Sequence, residues 1–288
     1  MTTRRELLAA FGTALGAAGA AAALRSRPLL AARAPRPRDP LSGIGVQLYT
    51  LRAEMRRDAE ATIARIATLG FSEIEWWGAW DRTPVQLRTL LDRHNLRAPA
   101  AHVDPRDLTR ERLPALLDAA QVMGHESRIV AWTPPTQRGA DDWKRLAELL
   151  SEAGRTASRV GIRTGYHNHD FEFADLGGRT ALGILLDESD PAFVSLEVDC
   201  FWAFKAGVDP RALIERFAAR VTHLHLKDSS GAPEHRQLDV GAGVIDWKSL
   251  RESAVARRVK HVYVEHDEPA DAWSSAIASL AHVRSLGY

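Results

Sequence analysis

The chain has one cysteine, Cys200, in 288 residues. A single thiol cannot close an internal disulfide, so no disulfide framework supports the fold. A basic surface is missing from most of the chain as well. The formal charge of +1 hides an uneven distribution, because residues 1–38 carry seven Arg against one acid, Glu6. Residues 39–288 then hold 31 Lys and Arg against 36 Asp and Glu, a net charge of −5. Such an acidic body argues against nucleic-acid binding, which needs cations to neutralise phosphates. No glycine-rich loop followed by lysine occurs, so the usual phosphate cradle is absent. Apolar residues at 45% and charged residues at 26% are ordinary globular usage and exclude disorder, collagen and coiled coil.

The first 38 residues read as a leader. Arg4-Arg5 precedes eighteen uncharged residues, Leu7 to Leu24, rich in Ala and Gly, and a Pro- and Arg-rich stretch follows. Paired arginines before a weakly apolar run are the pattern of a twin-arginine export signal. The expected location is periplasmic or otherwise exported, with no stable membrane span after cleavage. An uncleaved anchor is the competing reading, although Ala and Gly partition weakly into lipid. Ala32-Arg33-Ala34 satisfies the small-x-small cleavage rule, with Pro35 following.

From residue 43 the chain alternates β-branched runs with amphipathic stretches. The expected strands are 43–50, 71–76, 97–103, 127–131, 162–167, 194–199, 221–226 and 261–265. The expected helices are 53–69, 83–94, 113–123, 141–160, 181–188, 209–219, 246–256 and 271–286. Thr83-Pro84 supplies a helix start, and Gly70, Gly124 and Gly161 supply stops. Strands alternating with helices imply parallel pairing through crossovers. Eight units in about 250 residues match an α/β fold of the (β/α)8 TIM-barrel type, a single domain over 39–288 with no internal linker.

Active sites of such barrels lie at the C-terminal strand ends. Strand five runs into Tyr166-His167-Asn168-His169-Asp170-Phe171-Glu172-Phe173, and strand six ends Glu197-Val198-Asp199. Strand seven reads His223-Leu224-His225-Leu226-Lys227-Asp228, and strand eight ends Val264-Glu265. Four consecutive strands therefore end in His, Asp, His and Glu. That mixed donor set suits one divalent ion, Mn²⁺ first, with Co²⁺, Fe²⁺, Zn²⁺ or Mg²⁺ as alternatives, better than Ca²⁺. The two-residue period of a strand puts His223, His225 and Lys227 on one face, and Glu197 with Asp199 on another. His169 competes with His167 as a ligand. His223 reads as a packed or supporting ring. Lys227 either pairs with Asp199 or Glu197, or has a lowered pKa and moves protons. Glu75 and His102 close strands two and three and are either hydrogen-bond partners for substrate hydroxyls or satisfied structural polar groups, with Gln47 a weaker case. The tryptophans near strand ends, at 76, 77, 80 and 202, are by default packing residues, and Trp76 and Trp202 are also candidate sugar-stacking faces.

Together these segments resemble the sugar phosphate isomerase/epimerase family with the xylose-isomerase-like barrel, including its 3-keto-glycoside lyase relatives. The resemblance covers 43–288. It is carried by Gly45-Val46-Gln47-Leu48-Tyr49-Thr50-Leu51-Arg52, the run from Tyr166 to Phe173, Glu197-Val198-Asp199, His223 to Asp228, Gly241-Ala242-Gly243-Val244-Ile245-Asp246 and Val264-Glu265. It implies a divalent metal held by His167, Asp199, His225 and Glu265. It also implies proton removal beside a carbonyl that the metal polarises. Keto-sugar epimerases of the family have Glu where His167 stands, and they use two metal-bound glutamates as bases. One base, Glu265, suffices for 1,2-isomerisation or β-elimination, with His169, Lys227 and Glu172 as candidate acids. The expected function is therefore a metal-dependent isomerase, epimerase or lyase acting on a small keto-sugar or keto-glycoside. A homo-oligomer is compatible with the pattern. The rival readings are a barrel that binds sugars without chemistry and a metal-dependent endonuclease, the latter disfavoured by the acidic body.

Overall fold

The computed structural model describes residues 43–78, 81–253 and 255–288. The leader over 1–38 and Trp80 lie outside the described residues. Eight parallel strands close a barrel: β1 (Ile44–Gln47), β2 (Glu73–Trp76), β3 (Arg97–Val103), β4 (Ser127–Val130), β5 (Arg163–His167), β6 (Val194–Asp199), β7 (Val221–Leu226) and, last in the chain, β10 (His261–Val264). Neighbours in the barrel are neighbours in sequence, and β10 closes against β1. Between β7 and β10 the two-residue strands β8 (Asp228–Ser229) and β9 (Gln237–Leu238) pair antiparallel outside the barrel.

The helices are α1 (Arg52–Arg57), α2 (Ala59–Leu69), α3 (Pro84–Arg93), α4 (Leu113–Met123), α5 (Ala140–Ala157), α6 (Ala181–Glu188), α7 (Cys200–Lys205), α8 (Pro210–Arg216), α9 (Trp247–Glu252) and α10 (Ala272–Ser285). Local chemistry sets their ends. Thr83 caps α3 in a reciprocal pair with Gln86, and Pro84 occupies the first turn, where its missing N–H has no partner to lose. The single helix expected over 53–69 is two helices. Asp58 is extended between them, and its carboxylate accepts from Ala61 N at 3.0 Å, so it caps α2 rather than continuing α1. Helix α7 was not expected, and Asp199 caps it through Trp202 N. Among the described residues no helix is long and apolar enough to cross a membrane.

Strand alternation builds two unlike layers. Val46, Ile74, Trp76, Leu196, Val198, Leu224 and Val262 point outward and join the large apolar core beneath the helices. Inside the barrel, Ala100, Ile129 and Tyr263 form a separate small apolar cluster. A side chain at Gly45 would run into the Tyr263 ring, so glycine there gives the tyrosine its place across the barrel. Among the inward-facing side chains, Glu73 and His261 pair at 2.8 Å, and His223 stacks on His261 with centroids 4.8 Å apart. Further along the strands, inward-facing Glu75, His102, His167, Glu197, Asp199 and His225 lie toward the C-terminal ends.

Candidate active site

Strand β6 delivers Asp199, β7 delivers His225 and is followed directly by Lys227, and Glu265 follows β10. All four are buried. His225 Nδ1 is 2.8 Å from Glu265 Oε2 and 4.0 Å from Asp199 Oδ2. His167, from β5, brings Nε2 to 3.8 Å of the same Asp199 oxygen. Asp199 Oδ1 accepts the amide of Trp202 at 2.9 Å, which leaves Oδ2 for the site. Asn168 fixes this strand end by accepting from Asp199 N at 3.1 Å and donating to Asp199 O at 3.3 Å.

Lys227 Nζ lies 2.7 Å from Glu265, 2.9 Å from Asp267 and 3.0 Å from Asp199. Burial opposes its charge, but these three carboxylates raise its pKa well above the ordinary lysine value. These ion pairs match the reading of Lys227 as a paired lysine, with Asp199 as expected and with Glu265 and Asp267 in place of Glu197. Gln237 on β9 holds Asp267 from both sides, donating to Oδ2 at 2.5 Å and accepting from the Asp267 amide at 2.8 Å. Neither Gln237 nor Asp267 carried a sequence signal, since loop packing alone brings them to Lys227.

Burial pushes Asp199 up to about 6 against the pull of Lys227 and His225. Burial also opposes charge on Glu265, yet Lys227 and His225 hold its carboxyl well below the usual range. The His167 ring is pushed well down by burial and by His225, leaving it neutral. Burial works against a proton on His225, but Glu197, Glu75 and Glu265 raise its pKa well above 6.5. A cation arriving at His225 would displace that proton, as metal binding to titratable ligands does.

Asp199, His225 and Glu265 offer donor atoms all within 4.8 Å of one another, and so do His102, His167, Glu197 and His225. The residues present fit a divalent ion. They combine imidazole with carboxylate, they are buried, and Asp199 Oδ2 has no well-formed hydrogen bond despite the nearby Lys227 ammonium.

The chain also matches the family model described as xylose isomerase-like TIM barrel over residues 63–283. The chain belongs to that family. An inosose dehydratase of Bacillus anthracis is 27% identical over 191 residues, which is 59% of this chain and 63% of that relative's length. A sugar phosphate isomerase/epimerase structure from Parabacteroides distasonis superposes with a TM-score of 0.72 at 22% identity, covering 85% of this chain and 96% of the other. The zinc-bound IolI protein superposes with a TM-score of 0.67 at 13% identity, covering 85% and 98%. These two structures share the fold of this xylose isomerase-like barrel.

The other expected site residues take different places. Glu75 and His102, candidates for substrate hydroxyls or for structural polar groups, bond to one another and to neighbouring site residues. Glu75 Oε2 is 2.5 Å from His225 Nε2, and His102 Nε2 bridges Glu197 at 2.9 Å and Glu75 at 3.1 Å. Gln47 donates to Glu75 at 2.5 Å. Glu197, which shares a face with Asp199, receives His167 Nδ1 at 3.1 Å. Trp76 is not at the mouth. Strand parity turns it into the helix-side core, where its indole donates to Gly78 O at 2.9 Å. Glu172 is fully buried below the loop, accepting from Tyr166 Oη and from the His169 amide, both at 2.7 Å. Burial raises its pKa to about 8, so it holds a proton at neutral pH, but its contacts shape the loop under His169.

Trp202 and His169 do meet at the mouth. Their rings lie 5.2 Å apart, with the His169 ring stacked on Phe171 and edge-on to His167. His169 Nδ1 and Trp202 Nε1 are buried polar atoms without a protein partner, beside Lys227, whose ammonium is 5.7 Å from the Trp202 ring centre. Burial and Lys227 lower the His169 pKa to about 4.

Proposed function

We propose that this protein is a divalent-metal-dependent enzyme that removes a proton beside the carbonyl of a keto-sugar or keto-glycoside. The outcome is isomerisation or β-elimination. The observation that carries this reading is the convergence of Asp199, His225 and Glu265 at three adjacent strand ends, with His167 beside them. When bound there, Mn²⁺ or a similar ion polarises the substrate carbonyl. Glu265, held ionised, is the base. Lys227 stays charged beside it and offsets the negative charge that develops on substrate oxygen. His167 stands where a second glutamate would be needed, and a neutral ring flanked by Asp199 and Glu197 does not mirror Glu265. One carboxylate base serves one face of the carbon, which favours isomerisation or elimination over symmetric epimerisation. A dehydratase among the relatives is in keeping with elimination. Trp202 and His169 offer an apolar face and two unpartnered ring nitrogens to a hydroxylated ring, with His169 placed to hydrogen-bond a leaving oxygen. The leader supports export as the route by which the folded protein reaches its substrate.

The test is α-proton exchange in heavy water, with 3-keto-glucosides and free keto-sugars offered to the Mn²⁺-loaded protein. Exchange is expected in the wild type and a fall of about 100-fold or more in Asp199→Ala and His225→Ala. Folded variants that exchange at the wild-type rate would sink the proposal. Metal binding without exchange on any keto-sugar would instead make the barrel a sugar-binding protein.

A further inference from the structure

We propose that Glu75 and Glu197 are positioning residues that decide which nitrogen His225 and His167 present to the ion. This rests on the metal site proposed above. A neutral imidazole has one N–H and one lone pair, and an ionised carboxylate only accepts. His225 Nε2 faces Glu75 Oε2 at 2.5 Å, and His167 Nδ1 faces Glu197 Oε2 at 3.1 Å. His167 therefore donates to Glu197 through Nδ1 and keeps its lone pair on Nε2, the nitrogen turned toward Asp199. His225 faces a carboxylate on both sides, Glu75 at Nε2 and Glu265 at Nδ1 (2.8 Å), so without an ion both nitrogens carry protons, and an ion held by Asp199 and Glu265 would replace the Nδ1 proton and leave the Nε2 N–H donating to Glu75. One ring thus ligates through Nδ1 and the other through Nε2, a mixed pair dictated by where β2 and β6 place their glutamates.

The deeper group of His102, His167, Glu197 and His225 has its own ligand geometry, so the two arrangements compete. The same two rings cannot serve both without becoming imidazolates. The deeper carboxylates are each engaged through one oxygen, while Glu75 Oε1 and Glu197 Oε1 have no hydrogen-bond partner. Glu75 Oε2 meets Gln47, His225 and His102, and Glu197 Oε2 meets His102 and His167. His102 ties the two glutamates together across the barrel and makes the pair one support. Carboxylates behind metal-bound histidines fix ring orientation and raise ligand basicity.

The experiment is a Co²⁺ titration of wild type, Glu75→Gln and Glu197→Gln, read by chelator competition and visible absorption, with nitrogen NMR of the histidines in the Zn²⁺ form. One ion per chain is expected in all three. Affinity should fall about 10–100-fold in each variant. In the wild type, the protons are expected on His225 Nε2 and His167 Nδ1, and each variant should scramble its own ring. If a glutamine variant does not fold, the aspartate variant of that residue replaces it, with the same loss expected because the shorter carboxylate cannot reach the ring. Unchanged affinity and tautomers in the variants would overturn the proposal while leaving the metal site standing. Two ions per wild-type chain, one of them lost in Glu197→Gln, would also overturn it, because the deeper cluster would then be an ion site. A wild type that binds no ion would remove the metal site itself, and this inference with it.

Discussion

Asp228 is fully buried and accepts four N–H groups that belong to three segments of chain. Its Oδ1 takes Ser229 N at 2.8 Å and Ile245 N at 3.1 Å, while Oδ2 takes Trp247 Nε1 at 2.6 Å and Gly241 N at 2.9 Å. Asparagine has the same shape but one acceptor oxygen. In either amide orientation its NH₂ group faces two N–H donors, so Asp228→Asn removes two bonds and leaves two donors opposed. A buried donor left unsatisfied costs about 1–3 kcal/mol, and the Gly241 amide is only partly buried, so the expected loss is about 2–5 kcal/mol. For a domain near this size that corresponds to roughly 5–15 °C in melting temperature. The loop cannot simply shift closer, because a side chain at Gly243 would already strike Asp228 Oδ1 and Ser229 O. Calorimetry measures the global effect. Amide exchange at Gly241 and Ile245 should rise well before that of β6 or β7. A melting temperature unchanged to within a degree or two, with both amides still protected, would refute the account of Asp228 as the clamp of this loop.

Glu172 predicts a pH dependence. Its folded pKa of about 8 lies above the 4.5 expected when unfolded, so the fold favours its protonated form. That contribution is fully present below the unfolded value and is lost as pH rises through about 8. Glu172→Gln should therefore gain stability relative to wild type between pH 5 and 9, and parallel melting curves across that range would exclude it. Trp202→Ala should raise KM for a cyclic keto-sugar about 3–10-fold, the worth of one aromatic face, with a smaller change in kcat. An unchanged KM would remove Trp202 from the binding surface. Arg4→Lys with Arg5→Lys should keep the protein inside a host that has twin-arginine export. Recovery of the double variant in the periplasmic fraction would refute the reading of the leader.

Alternation and stop residues made much of the barrel legible. The bounds expected for β3, β6 and β7 and for α4 and α6 coincide with those found, because each lies between clear breakers or caps. Asp58 broke a helix that periodicity alone ran through, since an aspartate can cap as readily as continue. Helix α7 escaped notice because Cys-Phe-Trp-Ala-Phe-Lys has no polar face, and its cap, Asp199, had already been read as a ligand. In the site, Asp199, His225 and Glu265 were visible as polar residues ending apolar strands. Glu75 and His102 also bond to the other polar groups of the barrel, contacts that strand position alone does not reveal. Parity was available but unused for Trp76, since an inward Glu75 turns its neighbour outward. Asp267 and Gln237 come from loops whose paths no periodicity encodes.

In the metal site proposed above, the double duty of Asp199 bears on which cation would fit. One carboxylate oxygen is committed to the first turn of α7, so the other is the only one free to coordinate without uncapping the helix. Monodentate aspartate with two imidazoles gives a compact, nitrogen-containing shell. Large oxygen-seeking ions such as Ca²⁺, which favour six to eight oxygens and bidentate carboxylates, are poorly served by it. Discrimination against calcium in the proposed site would then come from the helix start as much as from the donor list. Any variant that lengthened the reach of residue 199 to grip a larger ion would have to unwind α7 to do so.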